Sequence, residues 1–268
     1  MKCFINGVDT ASVDLELVER YIPPLPNVED QNVQIDGRDG EIDFGMVYGP
    51  RVIQLVFFLT EYTELDYYDK IAAAVEMFNP RIGELTVTFD DLPGRVYSAR
   101  PIGTVPIDKG GTIRTLAIPL KMHQPFPEST DVSSGWEYGQ GYSYGMGLRY
   151  GDEYSYTVSS SPDTFEIYHA GNVPIKPKFR ITGHFTNLNL SDGRGNTLVL
   201  TRVNGPSDYI DINCEKGTVK LNNSQNIYSQ SNGCFFVLPK GETTFTATAS
   251  GTVNFTITFA PFRHRYLF

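Results

Sequence analysis

The carboxylates of this chain stand close together in three places. Asp39 and Glu41 lie in QIDGRDGEIDFG, residues 34–45, beside Asp36 and Arg38, and Asp90-Asp91 and Asp152-Glu153 are the other two pairs. Two carboxyl groups facing one sugar would suit glycoside hydrolysis, one as acid and the other as base or nucleophile. Residues two apart in an extended chain point to the same side, so Asp39 and Glu41 could share a face. Turn residues adjoin all three pairs, however, and an ordinary surface turn offers the same arrangement.

The 34–45 stretch also invites two ligand readings, and its spacing excludes both. In a calcium loop that starts at Asp36, the third ligand position is the cation Arg38 and the twelfth is Val47, where oxygen ligands are needed. In a phosphate cradle, a Lys-Ser/Thr pair and a helix should follow the glycines, and neither pattern does. What remains is a turn or bulge. Gly37 and Gly40 supply backbone angles that other residues resist, and Asp36, Arg38 and Asp39 supply local polar partners.

His123, His169, His184 and His264 are scattered without metal-ligand spacing, so no metal and no cofactor is expected. His184 lies in a strand pattern and reads as half-buried. Cys3, Cys214 and Cys234 share no CxxC spacing and have no evident histidine partner. Reduced, half-buried thiols are expected, with a Cys214–Cys234 bridge as the alternative. No nucleophilic catalysis is expected.

The elements that would position these residues are mostly strands. Runs of Val, Ile, Thr, Tyr and Phe alternate with Gly, Pro, Asn and Asp throughout the 268 residues, the pattern of a mainly β protein. In ELTVTFDDLPGRVYSARPIGTVPI, Leu85, Val87 and Phe89 alternate with polar residues before a Leu-Pro-Gly turn. A second turn at 108–112 makes 95–120 a long hairpin. Its prolines at 101, 106 and 119 would cost ladder bonds, which places it at a sheet edge or projecting from the domain. One helix is expected at about 64–79, with Leu65, Tyr68, Ala72, Val75 and Phe78 on the buried face. Thr63 and Asp66 have capping-box spacing, and Asn79-Pro80 ends the helix.

Composition divides the chain into 1–134, a Gly/Tyr-rich connecting segment at 135–162 holding the single tryptophan, Trp136, and an all-strand region at 163–268. Turn signals at short intervals give that last region the look of a β-sandwich or jelly roll, and its end, FRHRYLF, reads as a final edge strand. At 40% hydrophobic and 13% aromatic the chain can bury real cores. Its net charge of -9 argues against sequence-independent nucleic-acid binding and against anchoring on an anionic membrane. The longest apolar run, VIQLVFFL at 52–59, is strand length, well short of the roughly 20 residues a membrane helix requires. The N-terminus lacks a signal-peptide pattern, so folding in a cytoplasm is expected.

Taken in order, FINGVD, IDGRDGEIDFGMVY, PRVIQLVFFL, TFDDLPGRVYSAR, GWEYGQGYSYGMGLRYG, HAGNVPIKPKFRITG, DYIDINCEKGTVKLN and CFFVLPKGETTF resemble the distal tail protein (Dit) family of long-tailed, non-contractile phages. The resemblance spans essentially the whole chain. It implies an N-terminal β-sandwich with one helix and a projecting hairpin, forming a hexameric ring, and a C-terminal galectin-like β-sandwich. It also implies a non-enzymatic hub in the virion tail tip, joining the tail tube protein to a tail-associated lysin or fibre protein. In some members the hub also holds receptor-binding proteins. The galectin sugar residues are not visible in 163–268, so the likeness there is one of shape. The alternative is a cell-wall carbohydrate-binding adhesin that uses the C-terminal sandwich. For a ring, Asp36, Arg38, Asp39 and Glu41 of the first turn and Arg95, Tyr97, Arg100 and Lys109 of the 95–120 hairpin are the expected subunit-contact residues.

Overall fold

The computed structural model describes residues 1–59, 64–105, 115–130, 146, 149 and 154–268. It divides into two compact units, residues 1–130 with 266–268, and residues 131–265. The expected tip of the 95–120 hairpin, including Pro106 and Lys109, lies outside the described residues, as do Thr63, Trp136 and Asp152-Glu153.

In the first unit the strands are β1 (Cys3–Ile5), β2 (Val8–Asp9), β3 (Leu15–Tyr21), β4 (Val28–Gln34), β5 (Glu41–Tyr48), β6 (Arg51–Leu59), β7 (Leu85–Phe89), β8 (Tyr97–Pro101) and β9 (Thr115–Met122). Seven of them form one antiparallel sheet in the order β2-β1-β7-β8-β9-β6-β3. The β6–β9 pair shows why: Ile53, Leu55 and Phe57 alternate with more exposed residues and stand opposite Leu120, Ile118 and Leu116, which alternate likewise. Period-two patterning on both strands buries one face of each.

The 95–120 strands are not at an edge. β8 and β9 lie in the middle of the sheet, with β7 on one side and β6 on the other. Proline costs only a donor, and these sites tolerate the loss. Pro101 is the last residue of β8, and the carbonyl of Pro119 still accepts from Ile102 N at 3.0 Å.

The helix α1 spans Glu64–Met77, but its buried face is not the expected one. Tyr67, Ala74 and Phe78 are buried, while Leu65, Tyr68 and Val75 remain 72%, 47% and 64% exposed. The sequence carries two apolar stripes about one residue, or 100°, apart. Helical periodicity accepts either, and packing of Phe78 against Phe57, ring centroids 5.7 Å apart, selects one. Of the expected face, Phe78 alone is in the core.

In the second unit the strands are β10 (Ser155–Val158), β11 (Asp163–His169), β12 (Lys178–Ser191), β13 (Thr197–Asn204), β14 (Tyr209–Asn213), β15 (Thr218–Leu221), β16 (Gln225–Asn226) and β17 (Gly241–Phe259). The long strands β12 and β17 pair with each other along most of their length, and both carry further partners on their other sides. Their interior is aromatic: Phe245 stacks on Phe165, meets Phe236 edge-on and touches Phe259. Gly183, at φ +117, lets β12 pass β17 closely, since a Cβ there would stand 2.5 Å from Asn254 O.

The terminal FRHRYLF is not an edge strand. β17 ends at Phe259, and beyond it Ala260 N donates to Lys178 O at 2.8 Å and Arg265 forms an isolated bridge with Val173. Tyr266–Phe268 belong to the first unit. There Tyr266 N donates to Pro127 O at 2.9 Å, the Arg95 guanidinium lies 3.3 Å from the Tyr266 ring, and Leu267 O accepts from the buried Arg51. Cation–π contact and a charged donor hold this segment, where an edge strand would have used only its ladder.

Candidate assembly surface

β4 and β5 form a two-stranded sheet of their own, outside the seven-stranded sheet. Their register runs from Val28↔Tyr48 to Gln34↔Glu41 with a bulge between Asp30 and Asn32. The turn between them is the charged stretch at 35–40. Arg38 N donates to Ile35 O at 3.1 Å, and Gly37 and Gly40 sit at φ +81 and +84, the left-handed region that glycine enters without strain.

Nearly every residue of this hairpin is exposed. Its apolar side chains therefore face water: Phe44 is 68% and Met46 70% exposed, and Val28, Val33, Val47 and Tyr48 are exposed as well. At its base Tyr48 meets Phe126 edge-on at 5.6 Å. A lone two-stranded ribbon buries too little to be stable by itself, and exposed contiguous apolar surface marks an interaction site. Along with the apolar residues the hairpin carries Glu29, Asp30, Asp36, Asp39, Glu41 and Asp43 against the single cation Arg38.

A second apolar surface lies in the same unit. A groove of about 500 Å³ runs between α1 and the β8–β9 strands, lined by Ile71, Val75, Phe78, Ile102, Val105 and Leu116, with Arg81 as its charged lining residue.

The structure scatters the remaining candidates. Asp36, Arg38, Asp39 and Glu41 lie together on the exposed hairpin, where Glu41 accepts from the Asn32 amide. Tyr97 is fully buried in the core beside Phe89, 5.8 Å between centroids, so its side chain is not on the surface of its unit. It was expected at a subunit contact as part of the proline-bearing 95–120 hairpin, and its strand lies in mid-sheet. Arg95 is held by Tyr266 and Phe268 O. Arg100 is exposed, opposite Lys121.

The Asp90-Asp91 pair turns out to be structural. Both oxygens of Asp91 accept from Arg20 at 2.6 Å, and this pairing holds the Asp91 carboxyl below the usual carboxylate range. Asp90 accepts from the Lys2 backbone N–H at 2.8 Å. Among the described residues no group of His, Cys, Asp or Glu could hold a metal. Cys3, Cys214 and Cys234 are free, and burial pushes the Cys3 thiol up to about 12 and the Cys214 thiol to about 11. His184 Nδ1 bonds to Thr252 O at 2.9 Å.

Sequence reasoning missed three features. Phe44, Met46, Val47 and Tyr48 were legible only as an apolar run, FGMVY, and nothing in that run says it lacks a covering layer. His169 and His264, 95 positions apart, are both buried with their Nδ1 atoms 3.0 Å apart, and His169 Nε2 lies 2.8 Å from Val173 O. Burial moves the His169 pKa down. Finally, Gly141-Tyr142-Ser143-Tyr144-Gly145 has GxSxG spacing. It lies outside the described residues, and no apolar strand pattern precedes it as a nucleophile elbow requires.

Comparison with known proteins follows the same two-unit division. Residues 9–122 match the model of the phage tail protein RIFT-related domain, and residues 170–263 match the siphovirus-type tail component C-terminal domain. The fold is similar to that of the Dit protein (gp 19.1) of phage SPP1, with a TM-score of 0.65 at 16% identity over 98% of both chains. That protein is described as a paradigm of the hub adsorption apparatus in phages that infect Gram-positive bacteria. A chain of the phage p2 baseplate in its activated conformation matches at TM-score 0.41 and 10% identity, over 96% of this chain and 97% of that one. No curated protein matches by sequence. With both tail-protein models matched in order along its length, the chain belongs to the distal tail protein family of siphoviruses, structural components of the phage tail.

Proposed function

We propose that this chain forms a hexameric ring at the tail tip. The ring joins the tail tube protein to a tail-associated lysin or fibre protein, offers a mount for receptor-binding proteins, and assembles in the host cytoplasm. The observation that carries this reading is the β4–β5 hairpin, an exposed apolar ribbon attached to a well-packed sheet.

The hairpin of one copy docks on the α1 groove of the next. Both surfaces are apolar, and the acidic hairpin meets a groove whose charged lining residue is Arg81. The two surfaces differ, so the contact is head-to-tail, the type that closes into a ring. Charge then sets register and orientation, while the apolar contact supplies most of the free energy.

The mass of the purified protein in solution tests this. Six copies of the 30.0 kDa chain are expected. A strict monomer at high concentration, with no ring by electron microscopy, overturns the reading. Phe44→Asp/Met46→Asp and Val75→Asp should each give monomers that unfold like wild type. Intact rings in both variants would discard the hairpin-to-groove contact while leaving the ring.

A further inference from the structure

We propose that the solvent face of the second unit over β12, β14 and β15 is a binding site for a polyol- or sugar-phosphate polymer. The site is a groove of about 600 Å³ lined by Lys178, Arg180, Lys216 and Lys220 with a single carboxylate, Asp211. Such an excess of cations in a protein of net charge -9 is local and one-sided.

The strand register explains why the cations remain available. Asp211 sits between Arg180 on β12 and Lys220 on β15. Arg180 takes both its oxygens, at 2.7 and 3.0 Å, and is braced over the Tyr209 ring at 4.2 Å. Lys220, directly opposite Asp211, is left with no ion pair among the described residues, and so is Lys216. Lys178 reaches Glu215 at 3.6 Å, but both side chains are about half exposed, and such a pair contributes little and yields readily to another anion.

The remaining groups select the ligand class. Thr218, Thr258, Asn213 and Asn223 also line the groove, so hydroxyl and amide donors and acceptors stand between the cations. Asn213 Oδ1 already accepts from Glu215 N and Lys216 N, both at 3.1 Å, which fixes the turn that presents Lys216. The lining aromatics, Phe179 and Phe259, are both buried, so neither ring is available for a nucleobase to stack on. The cations flank β14, Lys178 and Arg180 on β12, Lys220 on β15 and Lys216 in the β14–β15 turn, and neighbouring strands lie about 4.8 Å apart. A ligand that repeats phosphate and hydroxyl along a chain fits this spread better than one compact ion does.

The site is independent of ring formation, and the test keeps the two apart. Full-length protein is titrated with poly(glycerol phosphate) of defined length, with neutral dextran and polyglutamate as comparison ligands. Binding of poly(glycerol phosphate) alone, weakening with added salt, is expected. Lys216→Glu/Lys220→Glu should lower its affinity about tenfold or more, as loss of phosphate contacts does, with ring mass and melting temperature unchanged. No binding by wild type, or equal binding by the double variant, overturns the proposal. Polyglutamate binding as tightly overturns it in favour of an acidic protein surface.

Discussion

Two exposed β surfaces of this protein, one in each unit, are built from opposite chemistries. The β4–β5 hairpin presents Phe44, Met46 and Tyr48 to water among acidic residues. The β12–β14–β15 face presents lysines, threonines and asparagines over a core that is already closed beneath it. The first is incomplete until something covers it, because a bare ribbon with an apolar face is stabilised only by a partner. The second is complete as a folded surface and can bind or remain free without cost to its own unit. The proposed assembly contact therefore falls on the hairpin, and the proposed reversible recognition on the sheet face.

The widest separation between the two units should come from the aromatic core. Phe245→Ala removes a ring that touches Phe165, Phe236 and Phe259, and should cost about 3–5 kcal/mol. Calorimetry should show the second unit melting early while ring mass, which rests on the first, is retained below that transition. Loss of both together would erase the distinction. Next in size, Phe44→Asp/Met46→Asp should abolish the ring with less than about 0.5 kcal/mol change in chemical unfolding of the monomer; a large stability loss would mean the hairpin is an internal element instead.

The second unit should also be the acid-sensitive one. The His169 pKa is depressed in the folded state by burial, so the unfolded chain binds more protons as pH falls below its ordinary 6.5. Stability is then full above that pH and is lost below it, by up to about 1.4 kcal/mol per pH unit. Denaturant midpoints between pH 7.5 and 5 should show this slope, and His169→Gln should flatten it. The smallest effect concerns the surface pair of the first unit: Asp91→Asn should cost under about 1 kcal/mol because Asp91 is 47% exposed, as a midpoint shift would show.

The residues differ in how much of their role could be read from the sequence. Leu85, Val87 and Phe89 announce their strand by strict alternation, and all three are buried as that pattern requires. The turn at Gly37 and Gly40 is equally local. The faces of α1 were not legible, because Leu65, Tyr68 and Val75 make as good a stripe as Tyr67, Ile71 and Phe78. The strand order was not legible either: prolines at 101 and 119 suggested an edge, yet β8 and β9 are central. The basic groove gathers Lys178 from β12, Lys216 from the β14–β15 turn and Lys220 from β15, and no contiguous run of charge announces it.

By itself, then, the sequence determined what depends on neighbours along the chain: strand period, turn positions, the helix and its end at Asn79-Pro80, and an ordered series of motifs that marks the family. Tertiary structure decided what depends on which surfaces meet. It chose one of two apolar stripes on α1, buried Tyr97, brought His169 to His264, and left Phe44 and Met46 uncovered. The physical reason is that hydrophobic burial is non-directional. A pattern states that a face wants cover, and only the packed chain shows which faces obtain it.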